Sequence, residues 1–455
     1  MPFSAFLTVF TSTVWTFSAK YVRLCLRNKG SSVCQAEKEI PMRKPKIQRI
    51  SIDTPLLKIG IISGTQLPPT KGGLRKKDTY LQSLRRALAA FRDMQADMVL
   101  FAGDIGDLGT RFSFRTYRHA VHEAFDGTPT VVQTIMGNHD YWNKSFLTAI
   151  PHRLAFRRIV GQSPWTHYVV NGFHFIGASP NCGSMTAGYK KMLPWLKEAL
   201  DTAAAESEGK PIFVMTHNQP RDTCYGADEW GDDTLDELFS GYPNLISFSG
   251  HSHYSILDER SVWQGKYTVF STQSLSYIEL ETGKVNGTIP PNAEESPMGF
   301  LLELSEETFR LRRLCFRESG VTEEKPDCPW TFPMPYQNDG RYAFEKRSAA
   351  NRPPEMRAPT AQAVLEGGEI LLTFDAGTDD DFVHSYKVVT NDRKEFLFFS
   401  DFYNGLTHMH ARVKLALPVS LLTEDSRSVR IYALDSWNAQ SSGFAEAVLP
   451  KRSET

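Results

Sequence analysis

The chain has no excess of either charge. Its 455 residues carry 51 Lys and Arg against 52 Asp and Glu, a formal net charge of −1. No basic stripe and no RNA- or DNA-reading motif stands out, so the sequence gives no nucleic-acid-binding signature. Cysteine is scarce: Cys25, Cys34, Cys182, Cys224, Cys315 and Cys328 are the only six. None has CxxC or zinc-knuckle spacing, which argues against a zinc module and a disulfide framework. Free buried thiols are expected, with Cys315 and Cys328 as a pair that could close. Long apolar runs are lacking too. The first 19 residues are uncharged, but seven of them are Ser or Thr, and Lys20, Arg23, Arg27 and Lys29 follow rather than precede them. A secretory signal has the reverse order, and a membrane helix needs about 20 mostly apolar residues. There is no convincing membrane span. Residues 1–55 read as a leader, disordered or a weak signal or anchor, and the compartment, cytoplasmic or secreted, stays open.

What is present is ordinary for a soluble globular chain: 41% hydrophobic and 23% charged residues, in a length that fits two domains. Strand-like runs alternate with helical ones. A strand near 57–63 precedes a helix over Asp78 to Met94, where Leu81, Leu84, Leu88 and Phe91 recur at helical spacing. A strand at 97–102, a helix at Thr116–Phe125 and a strand at 130–136 follow. Thr166–Ala178 reads as a hairpin turning at Asn171-Gly172. His167 and His174 lie on it and are assigned to packing. A helix over Tyr189–Ala205 and a strand at 211–216 complete an α/β pattern of layered sheets.

Polar clusters follow the strands. Gly103-Asp104-Ile105-Gly106-Asp107 follows Met98–Ala102, and Gly137-Asn138-His139-Asp140 follows Val131–Met136. His217 follows Ile212–Met215, and Gly250-His251-Ser252-His253 ends the run at Leu245 and Ile246. Any one of these could be a turn, since Asn, Asp and Gly favour turns. Four in order, each just past a strand, match the place where open α/β sheets put their sites. The residue types suit a pair of divalent cations. Asp104 can bridge, Asn138 can offer a carbonyl oxygen, and His217, His251 and His253 can offer imidazole nitrogens.

The order GDxxD, GNHD, a lone His after a strand and GHxH resembles the calcineurin-like metallophosphoesterases, over about Leu57 to Arg317. The resemblance implies a four-layer α/β/β/α fold with a two-metal site between two sheets. It implies that Asp104 bridges the metals, that Asn138, His217 and His251 complete the second, and that His253 binds the first. It implies that His139 contacts the substrate phosphate and protonates the leaving group, with Asp140 and Asp107 in support.

One motif departs from the family. Where its first strand ends in Asp-x-His, this chain has Gly64-Thr65-Gln66. Gln66 can still ligate through its side-chain oxygen, as in relatives resembling ADP-ribose and CDP-alcohol pyrophosphatases. Gly64 offers no side chain. Asp104 is then the one carboxylate between two dications, which leaves positive charge uncompensated in a partly dry site. One ion is expected to bind tightly and the other weakly, or only with substrate phosphate supplying charge. Ligands of mixed oxygen and nitrogen fit Mn, Fe or Zn without choosing among them. Aspartate restored at Gly64 is expected to raise affinity for the first metal without straining the loop.

Asp228, Glu229, Asp232, Asp233, Asp236 and Glu237 form an acidic cluster that reads as helix starts rather than as replacement ligands. Tyr141 and Trp142 either line the pocket or pack at the loop base. Residues 318–359 form a Pro-rich docking linker whose Trp330, Phe332 and Tyr336 should pack on the catalytic unit, 56–317. Short strand-like runs over 360–450 suggest an all-β sandwich that resembles fibronectin type III-like domains. His408 and His410 lie on this module as an incidental pair. The module is expected to fold alone, to leave catalysis intact when removed, and to be a candidate contact surface for protein or carbohydrate.

Two functions follow as expectations. One is a metal-dependent phosphoesterase that hydrolyses small phosphate mono- or diesters by metal-activated hydroxide, weakened at the first metal. The other is an impaired pseudo-enzyme that binds phosphate or metal and acts as an interaction module.

Overall fold

The computed structural model describes residues 46–142, 150–357 and 360–451. Residues 1–45, which hold most of the expected leader together with Cys25 and Cys34, lie outside the described residues. Two seven-stranded sheets form the larger part. One runs, edge to edge, through Gln48–Ile50, Trp165–Val170, Phe173–Ala178, Ile212–Thr216, Leu245–Ser249, Thr268–Ser271 and Val262–Gln264. The other runs through Gly320–Glu324, Phe309–Arg317, Met298–Leu304, Leu57–Ile62, Met98–Phe101 and Val131–Thr134, with Trp330–Phe332 paired to Phe309–Arg317. Gln48–Ile50 falls in the stretch that the sequence assigns to the leader. Its parallel partner, Tyr168–Val170, lies far along the chain, so no local periodicity announces the pairing.

Alternation along the strands builds the layers. Ile59, Ile61, Met98 and Leu100 point into the core between the sheets, beside Phe213, Phe248, Phe270 and Phe300. Ile62, Val99 and Phe101 point the other way, onto the helices Thr79–Asp93, Arg111–Phe125 and Ile150–Ile159. The helix Leu193–Glu206 covers the outer face of the first sheet through Leu196, Leu200 and Ala203. The result is the expected α/β/β/α arrangement. Helix Arg111–Phe125 starts earlier than its apolar periodicity suggests, because Thr110 caps it by accepting from Ser113 N.

The C-terminal region is an all-β sandwich. Gln362–Glu366, Glu369–Asp375 and Arg412–Pro418 form one sheet; Glu395–Phe399, Ser385–Thr390, Ser428–Leu434 and Ala445–Val448 form the other. Its own core holds Ile370, Leu372, Phe374, Tyr386, Val388 and Ile431. Phe382, Phe399, Phe402 and Tyr403, however, belong to the same core as the two large sheets. Hydrogen bonds cross as well: Val285 N to Leu397 O at 2.8 Å, Tyr403 OH to Pro291 O at 2.9 Å and Leu406 N to Glu324 Oε2 at 3.2 Å. In the linker, Trp330, Phe332 and Tyr336 are 1%, 4% and 6% exposed, so they anchor it to the larger part.

This shared core argues against a separable sandwich. A buried Phe contributes about 1.5–3 kcal/mol, and whole domains are stable by only about 5–15 kcal/mol. A chain ending at Ala350 is therefore expected to be insoluble or to melt well below the full chain. A cooperative melt at the full-length temperature, followed by circular dichroism, would restore the separable reading.

Cys224, Cys315 and Cys328 are free, so Cys315 and Cys328 do not pair.

Candidate active site

Five loops converge where strands end. Leu57–Ile62, Met98–Phe101 and Val131–Thr134 are parallel neighbours, and so are Ile212–Thr216 and Leu245–Ser249. Parallel strands deliver their following loops to one end of a sheet. Asp104, His251 and His253 adopt left-handed φ values of 57°, 65° and 60°, and Gln66 one of 45°. Each such non-glycine residue costs about 1–3 kcal/mol and persists only where its surroundings enforce it. Gly137 permits the close approach of two of these loops, since a Cβ there would stand 2.1 Å from Asp104 Oδ1.

Asp104 is the centre. It is 1% exposed. Its Oδ1 accepts from His139 N at 3.0 Å, and its Oδ2 accepts from Gln66 Nε2 at 2.9 Å. His217 Nε2 lies 3.3 Å from Asp104 Oδ2 and 3.0 Å from Asn138 Oδ1. Backbone carbonyls and a thioether orient these groups. His217 Nδ1 donates to Ala102 O at 2.8 Å, which turns Nε2 inward. Asn138 Nδ2 donates to Met185 Sδ at 3.1 Å, which turns Oδ1 toward His217. The His251 ring lies 5.0 Å from that of His217, centroid to centroid, and its buried Nε2 has no partner among the described residues. Asn138, His217 and His251 thus gather beside Asp104.

Gln66 and His253 form a further pair next to Asp104. His253 Nδ1 donates to Tyr277 O at 3.1 Å, and its Nε2 is 3.5 Å from Gln66 Nε2. Gln66 therefore turns its nitrogen toward Asp104, while its Oε1 is buried without a partner among the described residues. Gly64 also borders His253. Its φ is +61°, and a Cβ built there would meet Ser274 Oγ at 2.8 Å and His253 Nε2 at 3.3 Å. The Ser274 hydroxyl occupies the space and donates to Gly64 O at 2.8 Å.

Charges follow from burial and neighbours. Burial alone would raise Asp104, but the imidazoles of His217, His139 and His251 hold it below the usual carboxylate range. Burial pulls His217 down, yet Asp104 outweighs it and raises His217. Burial drives His251 far below its ordinary value and His253 down to about 3, so both rings present lone pairs. Among the described residues, no three His, Cys, Asp or Glu side chains are grouped so as to hold an ion by themselves. The compact set around Asp104 includes amides. Asp104 Oδ2, Asn138 Oδ1 and His217 Nε2 nevertheless approach as acceptors, and such an arrangement needs either a proton on His217 or a cation between them.

Asp140 acts differently from the expectation that it holds His139. Its carboxylate accepts from Ile105 N at 3.1 Å, Gly106 N at 3.1 Å and Gly137 N at 2.9 Å, and so joins the two loops that carry Asp104 and Asn138. His139 is held instead by the Asp107 carbonyl, 3.0 Å from its Nδ1, and by the Trp142 ring, whose centroid is 4.1 Å away. The Asp107 carboxylate is exposed and 3.8 Å from the same nitrogen. A backbone carbonyl and a fold-delivered ring leave no trace in sequence spacing. Trp142 is thus a wall of the His139 position, and Tyr141 packs beneath, its hydroxyl on Pro180 O at 2.5 Å. Met185 and Tyr277, which orient Asn138 and His253, carried no sequence signal.

The acidic cluster supplies no substitute for Gly64. Asp228 and Glu229 open one short helix, and Asp236 and Glu237 open the next. Glu229 accepts from Tyr254 OH, Asp232 from Thr234, and Asp236 from Tyr267 OH. His167 and His174 are buried partners on the hairpin, 2.9 Å apart. His410 is exposed and pairs with Asp401.

Similar solved structures include a dimetal phosphatase from Danio rerio, 13% identical over 59% of this chain and 99% of that one, with a TM-score of 0.41. GAP50, the anchor in the inner membrane complex of Plasmodium, is 12% identical over 65% of this chain and 94% of its own, with a TM-score of 0.40. Purple acid phosphatase PPD1 from yellow lupin (Lupinus luteus) seeds is 13% identical; 59% of this chain covers 53% of it, with a TM-score of 0.41. No curated protein matches the chain. The family model for calcineurin-like phosphoesterases matches residues 57–255, the stretch that contains Gly64, Asp104, Asn138, His217 and His253. Residues 57–255 are a calcineurin-like phosphoesterase domain.

Proposed function

We propose that the chain is a metal-dependent hydrolase of small phosphate mono- or diesters with unequal halves to its site. The observation that carries this reading is the convergence of Asp104 Oδ2, Asn138 Oδ1 and His217 Nε2 within 3.0–3.3 Å contacts, next to a His251 Nε2 that has no partner among the described residues. One carboxylate, one amide oxygen and two imidazoles make a donor set that fits a divalent Mn, Fe or Zn ion once the proton on His217 is displaced by the cation. A cation there supplies Lewis-acid polarisation of a phosphoryl oxygen and a nucleophile at neutral pH. His253 and a flipped Gln66 make the weaker half. Asp140 keeps the two ligand loops in register. The Asp107 carbonyl fixes His139 Nδ1 as the protonated nitrogen, so Nε2 faces outward as an acceptor when neutral and as a donor when charged. As a donor it binds a phosphoryl oxygen or delivers a proton to the leaving oxygen. The unit 56–317, the docking linker 318–359 and a fibronectin type III-like module at 360–450 form the working protein.

The test is metal content and turnover of p-nitrophenyl phosphate and its diester, for the native chain and Gly64→Asp. The native chain is expected to retain about one ion after dialysis and to turn over at least one ester. Gly64→Asp is expected to lose about 1–3 kcal/mol of stability, because a side chain is forced into left-handed backbone against Ser274. This corrects the sequence-based expectation of an unstrained loop. Pairing it with Ser274→Gly removes the contact and is expected to admit a second ion. Two tightly held ions in the native chain would end the unequal-halves reading. A second reading, a non-hydrolytic binding module, is favoured by the backbone and crowding at Gly64, and no turnover with any metal would support it.

A further inference from the structure

We propose that the groove between the helices Arg111–Phe125 and Ile150–Ile159 is a second anion site, suited to a ligand that carries two or more phosphate groups. This open groove has a volume of about 520 Å³ and is lined by Arg115, Arg118, His119, His122, Arg158 and Ile159. That volume is in the range of small-molecule sites, about 300–1,000 Å³. Three guanidiniums and two imidazoles face it, with no carboxylate among the described residues that line it.

The site is partly preorganised. Arg118 donates from one amino group to Ile159 O at 3.1 Å and from Nε to His122 Nε2 at 3.2 Å. The side chains of Arg115, His119 and Arg158 have no hydrogen-bond or ion-pair partner among the described residues. Glu123 is the one carboxylate on either helix, and it is taken by Arg85 on the neighbouring helix at 3.0 Å. The negative end of a helix dipole accounts for basic residues in a last turn, such as His122 and Arg158. It does not account for Arg115, which lies mid-helix. Guanidiniums that share one groove repel each other until an anion sits between them. Their forked donors match phosphate oxygens two at a time, which a single small anion cannot use in full.

The groove is separate from the cluster around Asp104. Helix Arg111–Phe125 links two parallel strands, so it starts beside the GDxxD loop and runs away from it. Arg118 is eight residues from the cap Thr110, or about 12 Å along the axis at 1.5 Å per residue. A free oligophosphate and a phosphorylated lipid headgroup share the required chemistry.

The experiment uses the full chain, freed of metal with a chelator. Sodium tripolyphosphate is titrated by calorimetry into the native chain, Asp104→Asn, and the double variant Arg115→Ala/Arg158→Ala. Flotation with phosphatidylcholine vesicles, with and without phosphatidylinositol bisphosphate, is run in parallel. Both arginines are exposed, so the double variant should melt as the native chain does. Binding is expected to survive Asp104→Asn and to weaken by at least about tenfold in the double variant. Ester turnover, measured separately with metal restored, should be unchanged in the double variant. Binding of tripolyphosphate alone assigns a soluble ligand, and binding of the phosphoinositide vesicles alone assigns a headgroup. Equal binding by the native chain and the double variant, or no binding of either probe, overturns the proposal.

Discussion

Asp104→Asn is expected to abolish tight metal binding and to lower ester turnover by about 10³-fold, or ~4 kcal/mol of transition-state stabilisation. The substitution keeps shape and removes one charge. The amide oxygen can still accept from His139 N, as Asp104 Oδ1 does at 3.0 Å. The amide nitrogen cannot serve a cation. It would also face Gln66 Nε2 and His217 Nε2, where Oδ2 now sits at 2.9 and 3.3 Å. The fold should hold, because the loop is fastened independently by the Asp140 carboxylate on Ile105 N and Gly106 N. Metal analysis after dialysis and a thermal melt separate the two effects. A variant that keeps its metal and its rate would remove Asp104 from the centre of the site.

The largest loss of stability should come from Glu259→Gln. Glu259 accepts from Arg313 at 2.7 Å, Lys325 at 2.9 Å, Arg347 at 3.0 Å and Trp330 Nε1 at 2.9 Å. It thus ties one sheet to the linker and to the helix Phe344–Ala350. Arg313 is 1% exposed, so the glutamine leaves a buried cation without its counter-charge. Breaking a buried pair from one side costs about 3–5 kcal/mol. The pH dependence has a definite sign. Burial pushes Glu259 upward, but Lys325, Arg313 and Arg347 outweigh it and hold its folded pKa well below the ordinary value. The stabilisation is therefore complete above the unfolded pKa, about 4.3, and is lost as pH falls toward the lower folded value. Urea unfolding from pH 3 to 7 should show a steeper loss on acidification in the native chain than in Glu259→Gln, where Asp104, Asp258 and Glu281 still contribute their share. Parallel curves for the two proteins would sink the assignment.

Much of the site was legible because its residues sit in short motifs. Asp104 and Asp107, Asn138 to Asp140, and His251 and His253 lie just after apolar runs that the structure makes parallel strands. The chain needs only strand direction to bring such loops to one end of a sheet. Roles inside the motifs were less legible. Asp140 follows His139 in sequence, yet it binds amides across two loops. The unit of recognition there is a ring of backbone N–H groups, which every residue type carries. Gly64 was legible as a missing carboxylate, but not as left-handed backbone filled by Ser274, since Ser274 arrives from 210 residues away.

By itself, the sequence determined the layered α/β fold, the all-β C-terminal region and the loops that carry the candidate ligands. Those depend on periodicity and on residue type at strand ends, both local properties. Only the tertiary structure decided the shared core of Phe382, Phe399, Phe402 and Tyr403 and the Glu259 hub. It also decided the orientation of Asn138 by Met185 and the crowding at Gly64. Each of these rests on groups distant along the chain. Their energies come from burial and close contact, which exist only once the sheets have packed.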